Sequence, residues 1–193
     1  MAVDAYMYFR DYNNKFLTSE SQVDDKNATE PLWGKFKFDE ARGAKGLFEV
    51  EDFSFDIEQV LSIGSQSSGA GAGKVTFNPF SITRKIDRSS PVFFGMACSG
   101  TSFQTVTLGA RKSQGGESAG GVYLVFQFKL VAVKTLSWSY DDEAPKETIT
   151  FEYGGLLVQY SLQLPSGKFD GQEHVKGWNR VRNIADDDAN KPI

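Results

Sequence analysis

Three features predict a mainly β chain with one short helix. Phe, at 16 residues, outnumbers Leu; β-branched and aromatic residues dominate the periodic segments; and Gly, Ser, Pro and Asp clusters recur between short alternating runs. About eight such runs at this spacing indicate a sandwich or a barrel. The chain has 193 residues, 40% of them hydrophobic, a size and composition that suit one globular domain with room for a tail.

In chain order, residues 2–10 set Val3, Ala5, Met7 and Phe9 against Asp4, Tyr6, Tyr8 and Arg10, a strand with one buried face. Residues 12–46 have no period and read as a long excursion anchored by Trp33, Phe36 and Phe38. Phe48 and Val50 are one position out of phase with Phe53, Phe55 and Ile57, which predicts a bulge near Glu51 and Asp52. Residues 62–73 are small, flexible and far longer than a tight hairpin turn needs. In residues 75–85 the alternation breaks at Asn78 and Pro79, a bulge or an edge. Asp87, Arg88, Ser89, Ser90 and Pro91 then put capping side chains and a proline ahead of the apolar run 92–98, which predicts a helix with Cys98 packed on its buried face. Residues 103–111, 122–133, 136–140, 147–153 and 156–164 supply the remaining strands. Residues 165–193 are polar and read as a surface arm or frayed tail.

Whole classes of chemistry are excluded by counts. One Cys and one His cannot make an internal disulfide or a structural zinc site. The Gly-rich stretch before Lys74 lacks the Ser or Thr and the helix of a phosphate loop, since Val75 opens a strand. Acidic pairs lack the spacing of a calcium loop, and no nucleophile elbow can be assembled with a base. No catalytic residue, cofactor or metal ligand is expected. The longest apolar stretch is interrupted by Gln127 and Lys129, too short for a membrane span, and the N-terminus carries Asp4 where a secretory signal would be basic.

Charge is unevenly spread. Residues 1–60 hold 13 acids and 7 bases, residues 61–136 hold 2 and 8, and residues 137–193 hold 10 and 6, within a net charge of −4. Nucleic acid is a poor partner for such a chain, whose central aromatics fall at strand spacing. Oppositely charged segments on different surfaces fit copies that meet head to tail. A carbohydrate-binding β-sandwich module using Trp33, Trp138 or Trp178 is the alternative reading.

The run VTFNPFSITRKIDRSSPVFF at 75–94, followed by FQTVTLGARK at 103–112, resembles the hemolysin-coregulated protein (Hcp) family. So do VYLVFQFKLVAV at 122–133, ETITFEYG at 147–154 and Tyr160, with weaker echoes in LTSES at 17–21 and VEDFSF at 50–55. The resemblance spans residues 1–164 and implies a small β-barrel of two antiparallel sheets with one flanking helix and an extended hairpin loop, here 59–74. It implies an inner-tube component of the type VI secretion system: homohexameric rings that stack, leave the cytoplasm with the spike without a cleavable signal peptide, touch sheath or baseplate components, and carry effectors in the lumen. By the same resemblance Leu61, Ser62, Ile63, Gly64, Ser65, Gln66, Ser67, Ser68 and Lys74 are candidates for ring stacking, and Asp87, Arg88, Ser89, Ser90 and Pro91 for the lumen side. The 12–46 excursion looks longer than is usual in that family, and the arm 165–193 is additional.

Overall fold

The computed structural model describes residues 3–23, 38–62, 71–112, 121–140, 144–164, 166, 169–170, 172, 174–191 and 193. Its elements are β1 (Val3–Arg10), α1 (Phe38–Gly43), β2 (Phe48–Val50), β3 (Asp52–Ser54), β4 (Ile57–Ser62), β5 (Gly71–Phe77), β6 (Phe80–Lys85), α2 (Ser90–Ser99), β7 (Ser102–Lys112), β8 (Val122–Tyr140), β9 (Pro145–Tyr160), β10 (His174–Asn179) and β11 (Ile184–Ala185). Every ladder is antiparallel.

The framework is the pair β8 and β9, registered from Leu124 opposite Tyr160 to Tyr140 opposite Pro145. The sequence predicts two strands in each, 122–133 and 136–140 in the first and 147–153 and 156–164 in the second; the structure runs straight through both gaps. One limb of the sheet is β2-β1-β7, the first half of β8, the second half of β9, then β10 and β11. The other limb is β3-β6 on the first half of β9. The bend falls where Leu130 takes φ +50° and where the β8–β9 register shifts between Val133 and Thr135.

The two limbs face each other across an aromatic core. Alternation on β1 aims Met7 and Phe9 inward, and Phe9 meets Phe48, Phe93, Phe103 and Phe151 at 5.0 to 5.7 Å between centroids. Phe80 of β6 stacks on Phe128 of β8 at 3.9 Å, which joins the limbs directly. Large aromatic area removed from water is the main driving force here.

The architecture is mainly β, as predicted, with four differences. The ladders do not close among the described residues, so the sheet is folded over and open where a closed barrel is implied by the resemblance. The phase change at Glu51 and Asp52 is a change of partner, not a bulge: β2 pairs with β1 and β3 with β6. A short α1 lies inside the excursion and covers the outer face of β1, where Ala41 and Leu47 pack on Tyr6 and Tyr8; burial pushes the Tyr8 hydroxyl above the ordinary tyrosine range. Residues 174–185 are not frayed: β10 continues the main sheet on β9 and β11 pairs with β10.

Candidate self-association surfaces

Strand alternation also puts charge inside. On β6 the inward phase runs Phe80, Ile82, Arg84, and on β9 it runs Glu147, Ile149, Phe151. Arg84 and Glu147 are register partners, exposed by only 3% and 0%. Arg84 Nε donates to Glu147 Oε1 at 2.7 Å, and its Nη2 donates to Asp87 Oδ1 at 2.6 Å and to Ser89 Oγ at 2.7 Å. Ser90 Oγ donates to the same Glu147 oxygen at 2.9 Å, and Trp138 Nε1 donates to the other at 3.1 Å. The guanidinium lies 4.9 Å from the Phe48 ring and 5.2 Å from that of Phe93. Buried charges are tolerated when paired and hydrogen-bonded like this. Burial alone would raise the Asp87 carboxyl, but hydrogen bonds from Arg84 and Ser89 outweigh it and hold its pKa below the usual carboxylate range.

This cluster aims helix α2. Pro91 occupies its first turn, where a missing N–H is harmless. Ser89 stands at the N-cap position but does not cap: its hydroxyl donates to Asp87 and accepts from Arg84. Gly100 ends the helix at φ +71°, donating to Met96 O at 2.9 Å. One side chain, Phe93, plunges fully into the core. Val92, Phe94 and Cys98 stay exposed, so the thiol is not packed as the sequence suggests. The helix carries no charged residue, and Phe94, 51% exposed, lies 6.1 Å from the ring of Trp138, 54% exposed.

A second surface is the hairpin β4–β5, a separate two-stranded sheet. Leu61 and Ser62, expected in a loop, are strand residues of β4 registered with Ala72 and Gly71 of β5, and Lys74 lies in β5. Ile63, Gly64, Ser65, Gln66, Ser67 and Ser68 lie outside the described residues. At the hairpin's root Phe77 packs near Tyr153 at 6.4 Å; burial pushes the Tyr153 hydroxyl up to about 12.

The structure thus brings Asp87, Ser89 and Ser90 together around Arg84 and commits them to internal bonds. Arg88 and Pro91 face outward, Arg88 reaching Glu20 at 3.4 Å. Sequence reasoning missed Arg84, Glu147 and Phe94, and offered Trp138 only as an aromatic of the carbohydrate-binding alternative. The legible signal was an opposite charge at the inward phase of two alternating runs. Trp33 lies outside the described residues, Trp178 is half-buried, and the Trp138 indole N–H is committed to Glu147.

Sequence comparison decides the family. The profile described as "Type VI secretion system effector, Hcp" matches residues 39–160, more than half of the chain. The chain belongs to the Hcp family. "Protein hcp1" of Pseudomonas aeruginosa is 33% identical over 113 residues, covering 58% of this chain and 68% of that protein. Among solved structures, one titled "Structure of a type six secretion system protein" aligns with a TM-score of 0.73 at 24% identity, covering 96% of this chain and 100% of that one. Hcp1 from Salmonella typhimurium aligns with a TM-score of 0.65 at 22% identity, covering 96% and 99%. These two share the Hcp fold. As a member of the family the chain is a type VI secretion protein, and no helix among the described residues is long and apolar enough to cross a membrane.

Proposed function

We propose that this Hcp chain is a tube subunit that forms hexameric rings, stacks them, and carries effectors in the lumen as it is expelled with the spike. The observation that carries the reading is the outer face of α2. A charge-free helix showing Phe94 beside an exposed Trp138 is an apolar surface of the kind that marks a protein contact. A head-to-tail contact on such a face closes a ring when its rotation closes. In this reading residues 1–164 build the ring and 165–193 form an arm on it.

The hairpin β4–β5, standing apart from the main sheet, supports the stacking role of residues 61–74. Arg88, paired at the surface with Glu20, and Pro91 are the exposed members of the helix-start group and so the ones able to meet cargo or a neighbour, while Asp87, Ser89 and Ser90 hold the helix in place. The test is light scattering during size-exclusion chromatography. Six copies of 21.4 kDa give about 128 kDa, and Phe94→Glu should shift the mass toward the monomer. A parent protein that stays monomeric under tube-forming conditions refutes the ring. A Phe94→Glu hexamer as stable as the parent removes α2 from the contact.

A further inference from the structure

On the outer face of the main sheet, at the bend of β8, the ammonium of Lys129 is buried, with the residue 4% exposed. Its hydrogen bonds go to residues that follow β11. Lys129 Nζ donates to the main-chain oxygens of Asp188 at 2.6 Å and Lys191 at 2.7 Å, and the Asp186 carboxylate stands 3.6 Å away. Three glycines shape the seat. A Cβ on Gly177 would lie 2.1 Å from Asp186 O, and Cβ atoms on Gly154 and Gly155 would lie 2.8 and 3.1 Å from Ile193 Cδ1. Asp186 N–H donates to Gly177 O at 3.0 Å, and Asp187 accepts from Gly177 N–H at 2.8 Å and from Lys176 Nζ at 3.0 Å.

We infer that residues 186–191, together with Ile193, are a releasable strap across the bend of β8 and β9, and that Lys129 is its catch. The strap is mainly polar and exposed, with Ile193 over Gly154 and Gly155 its main apolar contact, so little apolar burial holds it down. Past Asp187 the ammonium supplies its two shortest bonds to the sheet, both charge-assisted. A segment so held opens locally at far less than the energy of global unfolding. Opening exchanges these bonds for water, while closing gives the ammonium two charge-assisted carbonyl partners and a nearby carboxylate. The closed strap is therefore the resting state. Opening bares a furrow beside Arg10, Gln127 and Leu130, residues that with the strap line a crevice of about 210 Å³.

Amide hydrogen exchange tests this on the full chain. In the parent protein the Asp186 and Asn190 amides should exchange by local opening, with little dependence on added denaturant, while those of Val106 and Phe128 follow global unfolding. Lys129→Met should speed exchange of the strap amides by about tenfold or more and leave the core amides unchanged. Strap amides in the parent that follow the global unfolding isotherm would overturn the strap. An unchanged strap in Lys129→Met, or strap and core amides accelerated together, would overturn the catch.

Discussion

Removing the charge of Glu147 tests whether the buried cluster holds α2 to the sheet. In Glu147→Gln the shape is kept, but Arg84 loses its registered counter-ion inside the core, and the hydroxyl of Ser90 and the indole of Trp138 face a neutral amide. Breaking a buried pair from one side destabilises by roughly 3–5 kcal/mol. Asp87 still accepts from Arg84 Nη2 at 2.6 Å, so the guanidinium keeps one anion and the lower end, about 3 kcal/mol, is expected. For a chain of this size each kcal/mol lowers Tm by roughly 2–4 °C, giving a fall of about 6–12 °C. Urea unfolding of dilute protein, followed by Trp fluorescence, measures the loss directly. The midpoint should drop with an unchanged slope, because the surface exposed on unfolding stays the same. An unfolding free energy within about 0.5 kcal/mol of the parent would refute the idea that this pair is energetically important. The double variant Arg84→Met, Glu147→Leu should recover much of the loss, since apolar replacement of a whole buried pair is often neutral.

Phe93→Ala removes the single fully buried anchor of α2 and should destabilise by about 3–5 kcal/mol in thermal unfolding. Asp87 has a lowered pKa in the folded chain, so its contribution is fully present above the ordinary carboxylate value near 4 and is lost as pH falls through the folded value. Stability measured from pH 7 downward should therefore fall less steeply below about pH 4 in Asp87→Asn than in the parent. Deleting residues 67–72 should leave ring mass unchanged and shorten tubes in electron micrographs. Tube length should also fall as salt rises, because exposed charge is screened over about 8 Å at physiological ionic strength; a length distribution indifferent to salt would argue against charge-guided stacking.

Much of this was legible in the residues. Alternation located β1, β6, β7 and the cores of β8 and β9, and the proline of the first turn placed α2. What was not legible shares one cause, that pairing is non-local. Gly154 and Gly155 read as a strand boundary, yet their missing side chains admit Ile193 from far along the chain. Val175, Trp178 and Ile184 are too sparse to announce strands; they are strands because β9 offers an open edge. Glu51 and Asp52 look like a bulge locally, and only the positions of β1 and β6 turn them into a crossing between limbs. Cys98 sits in an apolar run that implies burial, but of that run only Phe93, and in part Met96, pack on the core. Of the candidate contact surfaces, the helix start was read correctly as an element, while the residues that orient it lay in two strands 63 positions apart.

The continuity of β8 and β9 through the bend has a mechanical meaning. At the bend the two limbs are joined by the strands themselves, so a load applied to one limb reaches the other through the continuous backbone of β8 and β9 and through the ladder between them. Pulled along their length, the strands must give up many hydrogen bonds at once. Peeled from the Leu124–Tyr160 end, away from the chain connection between β8 and β9, they give them up one after another. The pair β8 and β9 is therefore stiff to thrust along its length and weaker to prying at its unconnected end, and its resistance depends on which way the force arrives.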